Sequence, residues 1–378
     1  MSICPSPVVA DVQPTRSGVR LDPTLERILD EARWTPSGDN AQPWRFELRG
    51  TDEIVVHLNY ENLSVYEYRD GEPIRLSAGM LLESLRIAAS ANGRLISWQS
   101  EGGDRHPRIT VHFTPSSDVD SDPLFSCLRA RTVNRWSYKD RPLRSEERNA
   151  LDAALGDKLQ VTWYEAAEQR REFARLAAQS TAIRLSTPEA FPTHQGIIDW
   201  NLKLSPTKIP SGALGLDRPT LFFMGLGMKS WPLSRLMNRL GGTMMAARQM
   251  DHIPINASSA VFAVRLGQTA LPPEQRARAV LHAGQQIQRV WLTATRLGLA
   301  MQPALAPLIF ADYGERQERF TRDRGAYRDA EKLAVAFRSF FRESTSEFVF
   351  MGRIGEPRVA QLDCRSVRRP LTELLVPG

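Results

Sequence analysis

The string Ala32-Arg33-Trp34-Thr35-Pro36-Ser37-Gly38-Asp39-Asn40-Ala41-Gln42-Pro43-Trp44 is a helix end turning into a strand. Upstream, Asp22 is a good N-cap and Pro23 suits the first helical position. Leu25, Ile28, Leu29 and Ala32 then share one face of the helix. Pro36 stops it. Ser37, Gly38 and Asn40 expose backbone N–H groups and short polar side chains, and Gln42-Pro43-Trp44 restarts an extended chain. Such a turn can present donors and acceptors to a flat heteroaromatic ligand; as turn chemistry alone it is also an ordinary loop.

Outward from this turn, β-branched runs predict strands at 54–58, 109–113, 160–164, 259–266 and 347–353. Helical periodicity covers about 76–93, 145–155, 166–185 and 277–298. Helices and strands are mixed without a regular β-α-β alternation. The 378 residues, 42% hydrophobic and 24% charged, exclude wholesale disorder and are enough for a large core. No apolar run reaches the roughly 18 residues of a membrane span. Cys4, Cys127 and Cys364 are odd in number and far apart, which predicts reduced thiols and a cytoplasmic protein. The six histidines form no ligand cluster, so no metal is expected; His282 is the one that could approach a ligand. A net charge of +6 allows anionic partners without choosing among them.

Comparing the chain with itself is more decisive. Leu76-Ser-Ala-Gly-Met-Leu-Leu-Glu-Ser-Leu-Arg-Ile-Ala-Ala-Ser-Ala-Asn-Gly93 aligns without gaps on Leu281-His-Ala-Gly-Gln-Gln-Ile-Gln-Arg-Val-Trp-Leu-Thr-Ala-Thr-Arg-Leu-Gly298, at a constant offset of 205. Leu76/Leu281, Ala78/Ala283, Gly79/Gly284, Ala89/Ala294 and Gly93/Gly298 are identical. Two amphipathic helices share Leu and Ala by default. Matching glycines at both ends favour an internal duplication.

The Pro-Ser-x-x-Asn-x-Gln-Pro-Trp pattern of residues 36–44 resembles the signature of the FMN-dependent nitroreductase family. The run Arg129-Ala-Arg131-Thr132-Val-Asn134-Arg135-Trp136 is similar to the arginine-rich motif with which that family holds the FMN phosphate. Ala130 and Val133 depart from the pattern, so Arg131 and Arg135 match it better than Arg129. Residues Gly298–Ala304 resemble the helix exit that passes beside the isoalloxazine ring, and Arg353–Gly355 with Arg365–Leu375 resemble the closing strand and basic tail.

In that family FMN lies between two subunits, the Pro-Ser-x-x-Asn loop coming from one and the basic motifs from the other. Here the first copy keeps the loop, with only Thr15–Arg20 as a poor arginine motif. The second keeps the basic motifs, and its counterpart of the loop, near 154–164, has degenerated. The resemblance therefore implies an α+β protein of the fused, double-domain branch, an intramolecular pseudo-dimer with mixed sheets flanked by helices. Its expected parts are an N-terminal arm (1–21), a first copy (22–122) and a second copy (123–378). The implied cofactor site comprises Pro36, Ser37, Gly38, Asn40, Gln42, Arg129, Arg131, Thr132, Asn134, Arg135, Met301, Gln302, Pro303, Ala304, Arg365 and Arg368.

The implied activity passes electrons from NAD(P)H through one FMN to an unidentified small nitro, quinone or conjugated acceptor. No side chain is singled out as catalytic, because the cofactor carries the chemistry. Flavin sequestration without turnover, and an oxygen-dependent tailoring oxidase, are the alternatives. A monomer (the pseudo-dimer) is expected, with a higher oligomer as the alternative, and no nucleic-acid partner. One segment is left over. Residues 218–250 hold Arg218, Lys229, Arg235, Arg239 and Arg248, no acid, and six of the ten methionines. An inserted helical pair on the core, a lid over an apolar substrate and a basic surface touching membrane all fit this composition.

Overall fold

The computed structural model describes residues 21–61, 63–101, 107–267, 271–359 and 362–376. The Thr15–Arg20 motif, His106 and nearly all of the expected arm lie outside them. The fold is mixed α+β, with two four-stranded antiparallel sheets. In the first sheet the strands run Trp44–Arg49, Glu53–Leu58, Arg108–Pro115, Arg94–Glu101 in space. In the second they run Leu159–Tyr164, Ala260–Leu266, Phe348–Gly355, Ala300–Pro303. Both sheets thus follow one plan: two strands, a long helix, then an edge strand and a central strand. A shorter helix precedes each sheet, Pro23–Ala32 and Ser145–Leu155.

The expected helix starts and faces are present where sequence patterning is strongest. Asp22 Oδ1 accepts from the backbone N–H groups of Thr24 and Leu25, and Leu25, Ile28, Leu29 and Ala32 are fully buried. A cap of this kind is worth about 1 kcal/mol. The strands from 54, 109, 160, 259 and 347 are seen with ends shifted by one or two residues. The first repeat helix begins earlier than its periodicity predicts, at Tyr68, and runs to Ser90. Arg69, Asp70 and Gly71 interrupt its start with three consecutive positive φ angles, so regular helix follows only from Glu72.

The two repeat helices, Tyr68–Ser90 and Pro273–Arg296, pack on each other. Their contact is reciprocal. A Cβ on Gly79 would stand 2.0 Å from the Leu281 carbonyl oxygen, and one on Gly284 would stand 2.2 Å from that of Leu76. Only glycine permits this approach. Further along, Arg289 Nη1 donates to Glu83 Oε1 (2.8 Å) and Gln288 Nε2 donates to Ser84 Oγ (3.0 Å), again at matched positions of the repeat. Leu281 enters the core of the first sheet, and Leu76 enters that of the second. Each half therefore completes the other's interior.

The halves differ in what surrounds the sheets. The first sheet buries one face, as the alternation along Arg108–Pro115 shows. The second is covered on both: Phe348–Gly355 is buried at every residue. The added layer consists of Ala167–Ser186, Ala306–Glu315 and Arg324–Phe341, joined through Phe173, Phe310, Phe337 and Phe341. The last two helices were not anticipated from the sequence.

Candidate functional site

The turn Pro36–Gln42 is held open by its own backbone. Asp39, Asn40 and Gln42 take positive φ values of 51°, 63° and 49°; Asn and Asp tolerate that region better than most residues. Ser37 Oγ accepts from Gln42 N–H at 2.9 Å. The distant tail then locks the turn. Arg368 Nε donates to Thr35 O and its Nη1 to Asn40 Oδ1, both at 2.8 Å. Asn40 Nδ2 reaches Val367 O at 3.1 Å, and Gln42 Oε1 accepts from Arg369 N–H at 2.9 Å. Residues from the two halves are thereby tied into one wall.

That wall borders a cavity of about 340 Å³. One end is cationic. Arg131, Arg365 and Arg368 line it, and none of the three forms an ion pair with a described carboxylate. Burial, with Arg368 and Arg365 close by, holds Arg131 well below its ordinary pKa. Burial likewise draws Arg368 down to about 9, with Arg365 and Arg33 adding repulsion. Arg131 stacks 4.7 Å from the Trp291 ring centre and donates to Trp34 O, while its Nε is buried without a partner. Buried like charges with an unused donor are costly unless an anion joins them.

The other end carries both signs. Tyr66, Glu67, Arg184, His194, Asp251 and Asp39 line it, with Arg135. Tyr66 Oη is hydrogen-bonded to His194 Nε2. Burial, reinforced by Arg184, depresses His194 to about 3, so the imidazole stays neutral. Burial, with the Asp39 charge nearby, raises the Glu67 carboxyl to about 7. Asp39 and Asp251 are also raised by burial, against the pull of Arg184 on both. Glu67 Oε2, Asp251 Oδ2 and Arg184 Nε are buried without partners. A carboxyl titrating near neutrality on a cavity wall can take up and release protons.

Pro36, Ser37, Gly38, Asn40, Arg131, Thr132, Arg135, Gln302, Pro303, Ala304, Arg365 and Arg368, all anticipated, meet at this cavity. Four others lie outside it. Arg129 is drawn away into ion pairs with Asp30 and Glu31. Gln42 is fully buried, spanning from Asn40 O to Pro206 O. The Asn134 side chain caps the Trp136 N–H. Met301 points into the core of the second sheet, as alternation along Ala300–Pro303 requires. His282 is also remote; it bonds Gln285 and packs on Trp98. Arg353 reaches the wall, but its guanidinium is spent on Gln302, Pro254 O and Trp136 O and on the Tyr138 ring at 4.1 Å.

Tyr66, Glu67, Arg184, His194 and Asp251 were missed. They come from a loop, the end of Ala167–Ser186, the short helix Phe191–Ile197 and the helical turn Arg248–His252, and no local spacing links them. The one available signal was the repeat: Glu67 lies just before its first helix, beside the strained turn.

No protein-family model matches the chain. An uncharacterized protein of Mycobacterium tuberculosis (strain CDC 1551 / Oshkosh) is 26% identical over 299 residues, covering 76% of this chain and 40% of that protein. The chain thus spans about two fifths of the length of the curated relative it matches. Among solved structures, a nitroreductase-like family protein from Bacillus cereus is similar at 11% identity and a TM-score of 0.34, covering 67% of this chain and 94% of that one. An FMN-dependent nitroreductase from Mycobacterium smegmatis, solved with NADPH, is 14% identical with a TM-score of 0.34, covering 65% and 94%. Iodotyrosine deiodinase, solved with FMN and 3-iodo-L-tyrosine, is 12% identical with a TM-score of 0.31, covering 65% and 94%.

Proposed function

We propose that this chain is a flavoprotein oxidoreductase holding one FMN between two halves that arose by duplication. The observation that carries the reading is the carboxylate-free cluster of Arg131, Arg365 and Arg368 at one end of a cavity closed by the Pro36–Asn40 turn. The residues present fit the cofactor. Three guanidinium groups and the unpartnered Arg131 Nε suit a phosphate dianion. The Pro36–Gly38 backbone and Gln302–Ala304 would flank a flat ring. FMN, when bound, supplies hydride or single-electron transfer.

The chain's own part is to bind, orient and exclude water. Arg131, Arg365 and Arg368 hold the anion, and Asn40 fixes the turn through Arg368. Met250 and Ile255 add apolar lining to the cavity. Glu67 keeps a proton available at the opposite end. NAD(P)H as donor, a nitro, quinone or conjugated acceptor, and a monomeric, cytoplasmic protein belong to the same proposal.

The test is the visible spectrum and flavin content of purified protein, followed by titration with NADH and NADPH. One FMN per chain and bleaching by a nicotinamide are expected; a colourless protein that takes up no added FMN overturns the reading. Sequestration without turnover is the second reading, favoured by Met250, Asp251 and Ile255, which cover part of the cavity. Full flavin occupancy with no NAD(P)H oxidation in the presence of quinone or nitroaromatic acceptors selects it.

A further inference from the structure

The segment around 218–250 contributes Met250, Asp251 and Ile255 to the cavity wall just beyond it, but most of it faces outward. Its helices are short: Arg218–Gly227, Trp231–Met237 and Thr243–Ala247 among them. They pack in succession on one another, and Gly225 lies against the Trp200 ring. Of the sixteen large hydrophobic side chains exposed among the described residues, ten fall between 200 and 253. Leu240 is 79% exposed, Met244 73%, Phe222 64% and Phe223 56%. Scattered exposed leucines need no explanation, but such a concentration does.

The charge of the same face is one-sided. Residues 200–253 hold seven Lys and Arg against two acids, Asp217 and Asp251. Asp251 is turned inward to the cavity. Arg218, Lys229, Arg235, Arg239 and Arg248 are all exposed. None of these five makes an ion pair with a described carboxylate, whereas Arg86, Arg129 and Arg141 elsewhere on the molecule do. A second copy of the chain is a poor occupant, because a two-fold contact would set two unpaired basic faces against each other.

We propose that this face docks peripherally on an anionic lipid bilayer, Phe222, Phe223, Leu236, Leu240 and Met244 entering the headgroup boundary while the arginines and Lys229 meet lipid phosphates. Aromatic and flexible apolar side chains beside basic ones are the composition of interfacial helices. Among the described residues no helix is long and apolar enough to cross a membrane. The inference does not depend on the cofactor reading.

The experiment is co-sedimentation of the full chain with vesicles of phosphatidylglycerol mixed equally with phosphatidylcholine, against phosphatidylcholine alone. Binding is expected only to the anionic vesicles, and it should fall as salt rises. Arg235→Glu with Arg239→Glu should weaken partitioning by well over tenfold, since each basic residue near such a surface is worth roughly fivefold. Phe222→Ser with Phe223→Ser should weaken it as well while preserving salt sensitivity. All four positions are exposed, so circular dichroism and thermal midpoint should be unchanged. No binding to anionic vesicles, equal binding to both kinds, or a concentration-dependent dimer abolished by Phe222→Ser with Phe223→Ser would overturn the proposal. An acidic protein partner is the reading that the first of these results would leave.

Discussion

The passage from first helix to first strand is made twice in this molecule, and differently each time. In the second half, the helix ending at Leu155 reaches the strand at Leu159 through residues 156–158, a minimal turn with Gly156 at φ 71°. In the first half, the same passage takes residues 33–43, with three non-glycine residues at positive φ. The scaffold is common to both: strand order, long helix and reciprocal glycines match. What differs is a loop, and the loop borders the cavity. Symmetry supplies the frame, and the departure from symmetry supplies the site.

The largest test strikes the symmetric part. Gly79→Val and Gly284→Val each drive methyl groups into a facing carbonyl and should cost more than about 3 kcal/mol, because backbone opposes them. Soluble yield and thermal midpoint should collapse alike for both; tolerance of either variant would break the equivalence of the halves. Next is the asymmetric part. Arg131→Ala should lower FMN affinity roughly a hundredfold. Arg129→Ala, in the same arginine run but paired with Asp30 and Glu31, should leave affinity unchanged. Equal losses would erase the distinction between them.

Asn40→Ala unties the first-half turn from Arg368 and should weaken flavin by about tenfold. No change in affinity would mean that the turn's tie to the tail does not support the site. The smallest effect concerns Glu67. Its folded pKa, about 7, lies above the ordinary 4.5. Its contribution is therefore fully present below about pH 4.5 and is lost as pH rises through 7. Urea unfolding at pH 5 and pH 8 should show a flatter pH dependence in Glu67→Gln. An unaltered slope would remove Glu67 from the titrating set.

Legibility followed locality. The capped helix at Pro23, the strand cores and the paired repeat helices were written in short-range patterns, and each is present. The helix Arg324–Phe341 also has a clear buried face at helical spacing, Ala326, Ala330, Leu333 and Phe337, so its period was legible although it went unread. At the site, residues inside quotable motifs were found, including Arg131 and Arg368, 237 positions apart. Motifs do not say which way a side chain turns. Arg129 and Met301 sit within the anticipated strings and point elsewhere, one toward two acids and the other into a core. The mixed-charge end was invisible because it is assembled only by tertiary packing.

The tail has a further consequence. Leu371 and Leu374 pack in the first core, and Val376 N–H bonds Phe46 O at 2.9 Å. The edge strand of the first sheet is thus sealed by residues more than three hundred positions away in sequence. Until they dock, the edge at Phe46 is bare and the turn carrying Asn40 lacks its bond to Arg368. Contacts of such long range slow folding. Ligand-binding ability should therefore appear abruptly in refolding, once residues 365–376 have docked on the first half, rather than half by half.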